Sequence, residues 1–231
     1  MPLNLIRSNI INLPFLVSLP FLLILLPVAV FSQGGEDNDD LQSWNDLELT
    51  IPVNEQFDIK AAGTLRLEQN FSKPESYRFV IGVEYKPFKN LSLTPFQTFI
   101  SSRRSSGRYR YEYRTGLDVK YAFPVKGFSL SHRSRFEHRS RPGRNSWRYR
   151  PSIKIERDLP ESFLTNASVF IKDEPFYDSV SGTFSRNRIS TGIEKTVNKN
   201  FALEVFYTFE GDNVSTPGSV HVLGTEWKLR L

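Results

Sequence analysis

The sequence predicts an all-β fold, an antiparallel up-and-down transmembrane β-barrel of about ten to twelve strands. Three observations predict it. Apolar and charged residues alternate with a period of two from Trp44 to the C-terminus. Aromatic residues sit at both ends of these repeats. The connections read as alternately tight and long, as outer-membrane barrels sort theirs.

The clearest repeat is 108–123. Tyr109, Tyr111, Tyr113, Thr115, Leu117, Val119, Tyr121 and Phe123 take one face. Arg108, Arg110, Glu112, Arg114, Gly116, Asp118, Lys120 and Ala122 take the other. Side chains on a strand point alternately to opposite faces, so this is one strand with an apolar and a charged side. Its apolar side has aromatics at both ends and aliphatics between. A strand in lipid shows that order at the two membrane interfaces.

Residues 1–32 read as a signal peptide. Arg7 supplies a positive region, an apolar run covers 10–31, and Ser32 offers a cleavage site. Pro14, Pro20 and Pro27 interrupt the run, which argues against a membrane anchor. Residues 33–43 read as a flexible acidic leader and 44–231 as the barrel. Export and a barrel together imply a Gram-negative outer membrane.

Strands follow in order. Leu47, Leu49, Ile51 and Val53 alternate with Asp46, Glu48 and Thr50. Phe57, Ile59, Ala61, Leu65 and Leu67 alternate with Asp58, Lys60, Thr64, Arg66 and Glu68. Tyr77, Phe79, Ile81, Val83 and Tyr85 alternate with Arg78, Gly82, Glu84 and Lys86. Residues 91–101 form a weaker strand because Pro95 cannot donate to a ladder. Further strands cover 128–139, 147–158, 163–173, 184–197, 201–210 and 219–231. Tight turns are expected at 54–56, 87–90, 124–127, 159–162 and 198–200, and longer loops at 70–76, 102–107, 140–145, 174–183 and 211–218. This makes about eleven strands, whereas bacterial single-chain barrels have even numbers. Ten, twelve, or a leader crossing the lumen would each restore parity. The last strand, with Leu223, Thr225, Trp227, Leu229 and Leu231 alternating, resembles the C-terminal signal read by the barrel-assembly machinery.

Trp44, Leu47-x-Leu49 and Leu65-Arg66-Leu67-Glu68 together resemble a family of outer-membrane barrel proteins, domain of unknown function 2490. The resemblance covers Trp44 to Leu231. It implies a barrel in the outer membrane and brings no activity.

The charged faces supply the candidate site, a luminal wall. It comprises Arg66, Glu68, Arg78, Glu84, Arg110, Glu112, Arg114, Arg133, Arg135, Glu137, Arg148, Arg150, Glu156, Arg186 and Arg188. Arg114, Arg135 and Arg150 are expected near Glu112, Glu137 and Glu156. Asp46, Glu48, Glu204 and Glu210 would form an opposing acidic wall. Two readings use the same residues. Ion-paired ladders could fill a narrow barrel, since buried charge is costly unless paired. Alternatively, water runs between the walls and small anions pass.

Other classes are weaker. His132-Arg133-Ser134 is similar to the His-x-Ser of outer-membrane lipid A deacylases, which keeps a lipid-modifying hydrolase as an alternative. Both side chains face outward, and no acidic third member can be placed. A secreted β-sandwich binding protein is the fold alternative. The absence of cysteine excludes disulfides and thiol nucleophiles, and three scattered histidines make no metal site. No catalytic residue, metal or cofactor is assigned, and the chain is not read as an enzyme. The net charge of +5 does not imply nucleic acid, because the cations alternate with tyrosines on the other face. Arg103, Arg104, Arg108, Arg141 and Arg144 in the loops could meet lipopolysaccharide phosphates. The remaining expected partners are outer-membrane lipid, the assembly machinery and small anions.

The mature chain is therefore expected to be a heat-modifiable membrane protein, migrating differently on gels before and after boiling. Recovery as a monodisperse soluble protein without detergent would contradict this reading.

Overall fold

A computed structural model describes residues 39–103, 106–214 and 218–231. The signal peptide expected at 1–32, and leader residues 33–38, lie outside the described residues. Eleven strands follow in chain order: β1 (Asp39–Pro52), β2 (Phe57–Glu68), β3 (Lys73–Phe88), β4 (Leu91–Arg103), β5 (Tyr109–Phe123) and β6 (Ser129–Arg141). Then come β7 (Arg144–Asp158), β8 (Ala167–Asp178), β9 (Thr183–Asn198), β10 (Phe201–Asp212) and β11 (Ser219–Arg230). Each pairs with its sequence neighbour in antiparallel register, and the sheet closes into a barrel.

The closing pair differs from all the others. β1 and β11 run parallel, in register from Asp39↔Ser219 to Thr50↔Arg230. An up-and-down chain with an odd number of strands starts and ends in the same direction, so closure has to be parallel. Eleven strands lie within the ten to twelve expected from sequence, and the parallel closure removes the need for an even number. β1 begins at Asp39, so residues 39–43, expected in the leader, belong to the wall. A closed barrel also replaces the β-sandwich alternative.

Connection length does not distinguish the two ends of the barrel. At the rim where β11 ends, the C-terminal rim, the connections are 53–56, 89–90, 124–128, 159–166 and 199–200. At the other, N-terminal rim they are 69–72, 104–108, 142–143, 179–182 and 213–218. The longest lies on the C-terminal rim, against expectation. Strands run on through residues that looked like loop. Arg141 and Arg144 still pair across Pro142-Gly143, where Gly143 takes the positive φ of 78° that such a turn needs. β8 continues through Pro175. That proline faces Pro151 of β7, in a gap of the ladder between Tyr149↔Tyr177 and Ile153↔Asp173. Neither proline has an N–H to give, and the gap asks for none.

The two faces of the sheet are chemically distinct. Leu47, Ile81, Val83, Leu117, Ile153, Ile189 and Val205 point outward and are more than a third exposed. Aromatic pairs flank them on both sides. Phe57–Tyr85 and Phe201–Trp227 stack near the C-terminal rim, and Phe99–Tyr111 and Phe136–Tyr149 toward the other. Inside, phenylalanines lie over glycines of the adjacent strand. Phe96 pairs with Gly116 and Phe206 with Gly224. A Cβ at Gly116 would come 2.3 Å from the Phe96 ring, and one at Gly224 2.1 Å from the Phe206 ring. Only glycine lets these rings lie flat on the wall.

An exposed apolar belt is stable only in lipid. Val83→Arg and Leu117→Arg are therefore expected to cost roughly 2–4 kcal/mol each, near a bilayer midplane. Urea unfolding in lipid vesicles measures it. Tolerance of arginine at both positions would mean that this face does not meet lipid.

Candidate functional site

Alternate residues of every strand point into the barrel, and their contacts span strands that are not neighbours. Arg188 of β9 lies 4.6 Å over the Trp44 ring of β1. Lys154 of β7 reaches Glu204 of β10 at 3.7 Å. Arg230 of β11 reaches Asp58 of β2 at 3.4 Å. The lumen is narrow enough for side chains to meet across it.

The half toward the N-terminal rim is an arginine–carboxylate network. Glu174 accepts from Arg150 at 2.9 Å and also pairs with Arg133, with Arg188 at 3.9 Å. Glu137 holds Arg150 at 3.3 Å and Arg114 at 3.6 Å. Glu112 holds Arg114 at 2.7 Å and Arg139 at 2.6 Å. Asp178 holds Arg139 at 2.8 Å and Arg148 at 2.9 Å. Arg135 donates to both oxygens of Asp118, at 2.7 and 2.5 Å. Arg186 and Arg188 pair with Glu210, and Arg186 also with Asp212. Phe176 lies beneath the guanidiniums of Arg150 and Arg188, at 4.4 and 4.7 Å. Glu174 is 1% exposed and Glu137 2%. Carboxylates this dry are tolerable only because each meets two or three cations.

Toward the C-terminal rim lysine replaces arginine. Lys60 pairs with Glu48 at 3.3 Å and Glu84 at 3.7 Å. Lys154 pairs with Glu156 at 2.7 Å. Lys228 meets Glu194, Glu204 and Glu226 at 2.6, 2.7 and 3.4 Å. Most of these side chains keep some solvent exposure. A cavity of about 420 Å³ opens there, with Glu156, Asp158, Glu161 and Glu194 in its lining. The division is physical. A guanidinium bonds bidentately and stacks on rings, so it suits the dry half, whereas an ammonium is a strongly hydrated point charge.

The expected wall residues fall into three groups. Glu112, Arg114, Arg133, Arg135, Glu137, Arg148, Arg150, Arg186 and Arg188 join the network. Glu84 and Glu156 pair with lysines in the other half, so Glu156 is not the partner of Arg150. Arg66, Glu68, Arg78 and Arg110 make no ion pair among the described residues. Of the expected opposing acidic wall, Asp46, Glu48 and Glu204 lie around Glu226, whereas Glu210 lies in the arginine network. Glu48, Glu204 and Glu210 each hold a cation, and Asp46 accepts from Thr64 at 2.5 Å. The type of cation is sorted by height in the barrel, arginine toward the N-terminal rim and lysine toward the other. Glu174, Phe176 and Asp178 were missed because Pro175 made 174–183 look like loop. The period of two through Lys172, Glu174, Phe176 and Asp178 was the available signal.

On the outer face, His132 Nε2 lies 2.9 Å from Ser134 Oγ, which in turn lies 3.1 Å from the Tyr149 hydroxyl. Among the described residues no carboxylate bonds to His132, so a hydrolase triad is not assembled.

A family model described as "Protein of unknown function (DUF2490)" matches residues 41–220. A solved structure described as "KdgM porin" is similar at 12% identity and a TM-score of 0.46, over 82% of this chain and 95% of that one. No curated protein matches.

Glu174→Gln leaves three guanidiniums short of one buried charge. It is expected to destabilise the barrel by about 3–5 kcal/mol, whereas Glu156→Gln, at a wetter pair, is expected to cost at most about 1 kcal/mol. Urea midpoints of the refolded variants decide. Equal costs would mean that the two halves are equally wet.

Proposed function

This chain belongs to the DUF2490 family, and on that footing we propose that it is an outer-membrane β-barrel closed at its waist by paired side chains. It acts as a structural barrel that passes at most small solutes, anions before cations. The apolar belt between two aromatic girdles supports the membrane location. Strands of 12 to 16 residues are long enough to cross when tilted. The C-terminal strand fits recognition by the barrel-assembly machinery. Arg103, Arg108, Arg141 and Arg144 near the N-terminal rim suit lipopolysaccharide phosphates.

The observation that carries closure is the burial of Glu174 and Glu137 on inward-facing positions. In a water-filled pore such carboxylates would be solvated. Instead, Arg114, Arg150 and Arg188 pair with them, and Phe176 lies against the Arg150 and Arg188 guanidiniums. Arg66 and Arg78 add positive charge without pairing, so any ion in transit meets a net cationic waist. Fixed charge at a constriction raises the local concentration of opposite ions.

Planar-bilayer recording of the refolded protein tests both statements. The expected result is no conductance, or small steps whose reversal potential favours anions. Large, weakly selective steps would overturn closure. Small cation-selective steps would overturn the anion preference.

A further inference from the structure

We propose that Arg66 and Arg78 form a binding site for a small tetrahedral oxyanion, phosphate or sulfate, inside the lumen. The proposal deepens the closed-lumen reading and rests on it, but not on the membrane location.

The register brings the two side chains together. Arg66 is opposite Ser76, and Arg78 is opposite Thr64, so the arginines are diagonal neighbours on the inner face of β2 and β3. Arg66 is 7% exposed, with its guanidinium 3.4 Å over the Trp44 ring. Among the described residues neither arginine has a hydrogen-bond acceptor or an ion-pair partner, and the Nε of each is buried without one.

The surrounding charge makes this arrangement costly. Besides Glu75, the charges acting most strongly on Arg78 are three more guanidiniums, Arg114, Arg188 and Arg150. Arg66 feels Arg78 and Arg188 above all. The carboxylates of this layer are taken: Glu137 by Arg114 and Arg150, Glu174 by Arg150, and Glu210 by Arg188. Glu75 accepts from the Ser76 hydroxyl at 3.3 Å and forms no ion pair with either arginine. Arg66 is buried and Arg78 half-buried, and the nearby Glu75 is one carboxylate beside two cations, so the pair calls for an anion.

The donor geometry selects its shape. Trp44 covers one face of the Arg66 guanidinium, and the Nε on its edge has no acceptor. Each edge offers two parallel N–H groups, which match two oxygens of a tetrahedral oxyanion better than one spherical halide. Ser76, fully buried, faces Ser102 beside the site, and Ser102 in turn faces Arg110. The Nε of Arg110 also lacks an acceptor. Arg110 and Arg66 thus share one register row near the N-terminal rim, and Arg78 lies two residues deeper. A lipid headgroup is held outside the wall, away from these inward-facing residues, so the anion is a soluble one.

The test is thermal unfolding of the refolded barrel in nonionic detergent, with inorganic phosphate or sulfate against chloride at matched ionic strength. The midpoint is expected to rise saturably with phosphate and sulfate but not with chloride. Arg78→Gln is expected to abolish the rise and Lys60→Gln to leave it intact. Arg66→Gln also removes the stack on Trp44 and could fail to fold, so Arg78→Gln, which breaks no pair, decides. Without phosphate, Arg78→Gln is expected to unfold no earlier than wild type. A flat wild-type response, an undiminished rise in Arg78→Gln, or an early midpoint for that variant would each overturn the site. Bilayer conductance reports on closure separately, so one reading can fail while the other stands.

Discussion

Pairing between β1 and β11 is the contact on which the rest of the structure depends. Without it the sheet has two open edges, each a row of unpaired N–H and C=O groups that lipid cannot satisfy. With it, every strand has two neighbours, and the pleat divides side chains into an inside and an outside. The ladder runs from Asp39 to Thr50, and the Leu231 amide extends it by donating to the Thr50 carbonyl at 3.0 Å. Asn45 and Thr225 meet across the same seam on the outer face at 3.1 Å. Parallel pairing is somewhat weaker per residue, and the length of this seam offsets that.

Closure then dictates the interior. The inner face of this barrel is not apolar enough to form an oily core. Its charges pair instead, most with neighbouring strands and some with strands further round the barrel. Arginine dominates where rings and carboxylates are buried: Phe176 and Trp44 serve as platforms, and Glu174 and Glu137 as shared acceptors. Lysine dominates where the lumen widens and water reaches the pairs. Arg66, Arg78 and Arg110, each with an Nε that lacks an acceptor, are exceptions to neutralisation. Local failures of consistency of this kind are where a structure tends to carry function.

The outside obeys a simpler rule. Apolar side chains make the belt, and polar ones that occur there satisfy each other locally. Gln97 accepts from Thr115 at 2.7 Å, Asp173 accepts from Asn187 at 2.9 Å, and His132 contacts Ser134. In lipid such groups have no water to turn to, so pairing within the wall is the remaining option.

The sequence by itself determined the fold class, the phase of the strands and the identity of most inward charges. A period of two is a property of the backbone, and every residue from Tyr109 to Phe123 or from Phe57 to Glu68 displays it locally. Loop sorting was a mistaken support for a correct fold, because polar residues such as Glu174 and Asp178 look alike in a loop and on the inner face of a strand. Three matters were left to tertiary structure: the parallel closure at eleven strands, the partner of each charge, and the isolation of Arg66 and Arg78. Each depends on residues far apart in the chain. Asp39 meets Ser219, and Trp44 meets Arg188, only after the sheet has closed, and no local pattern encodes which strand will face which across a lumen.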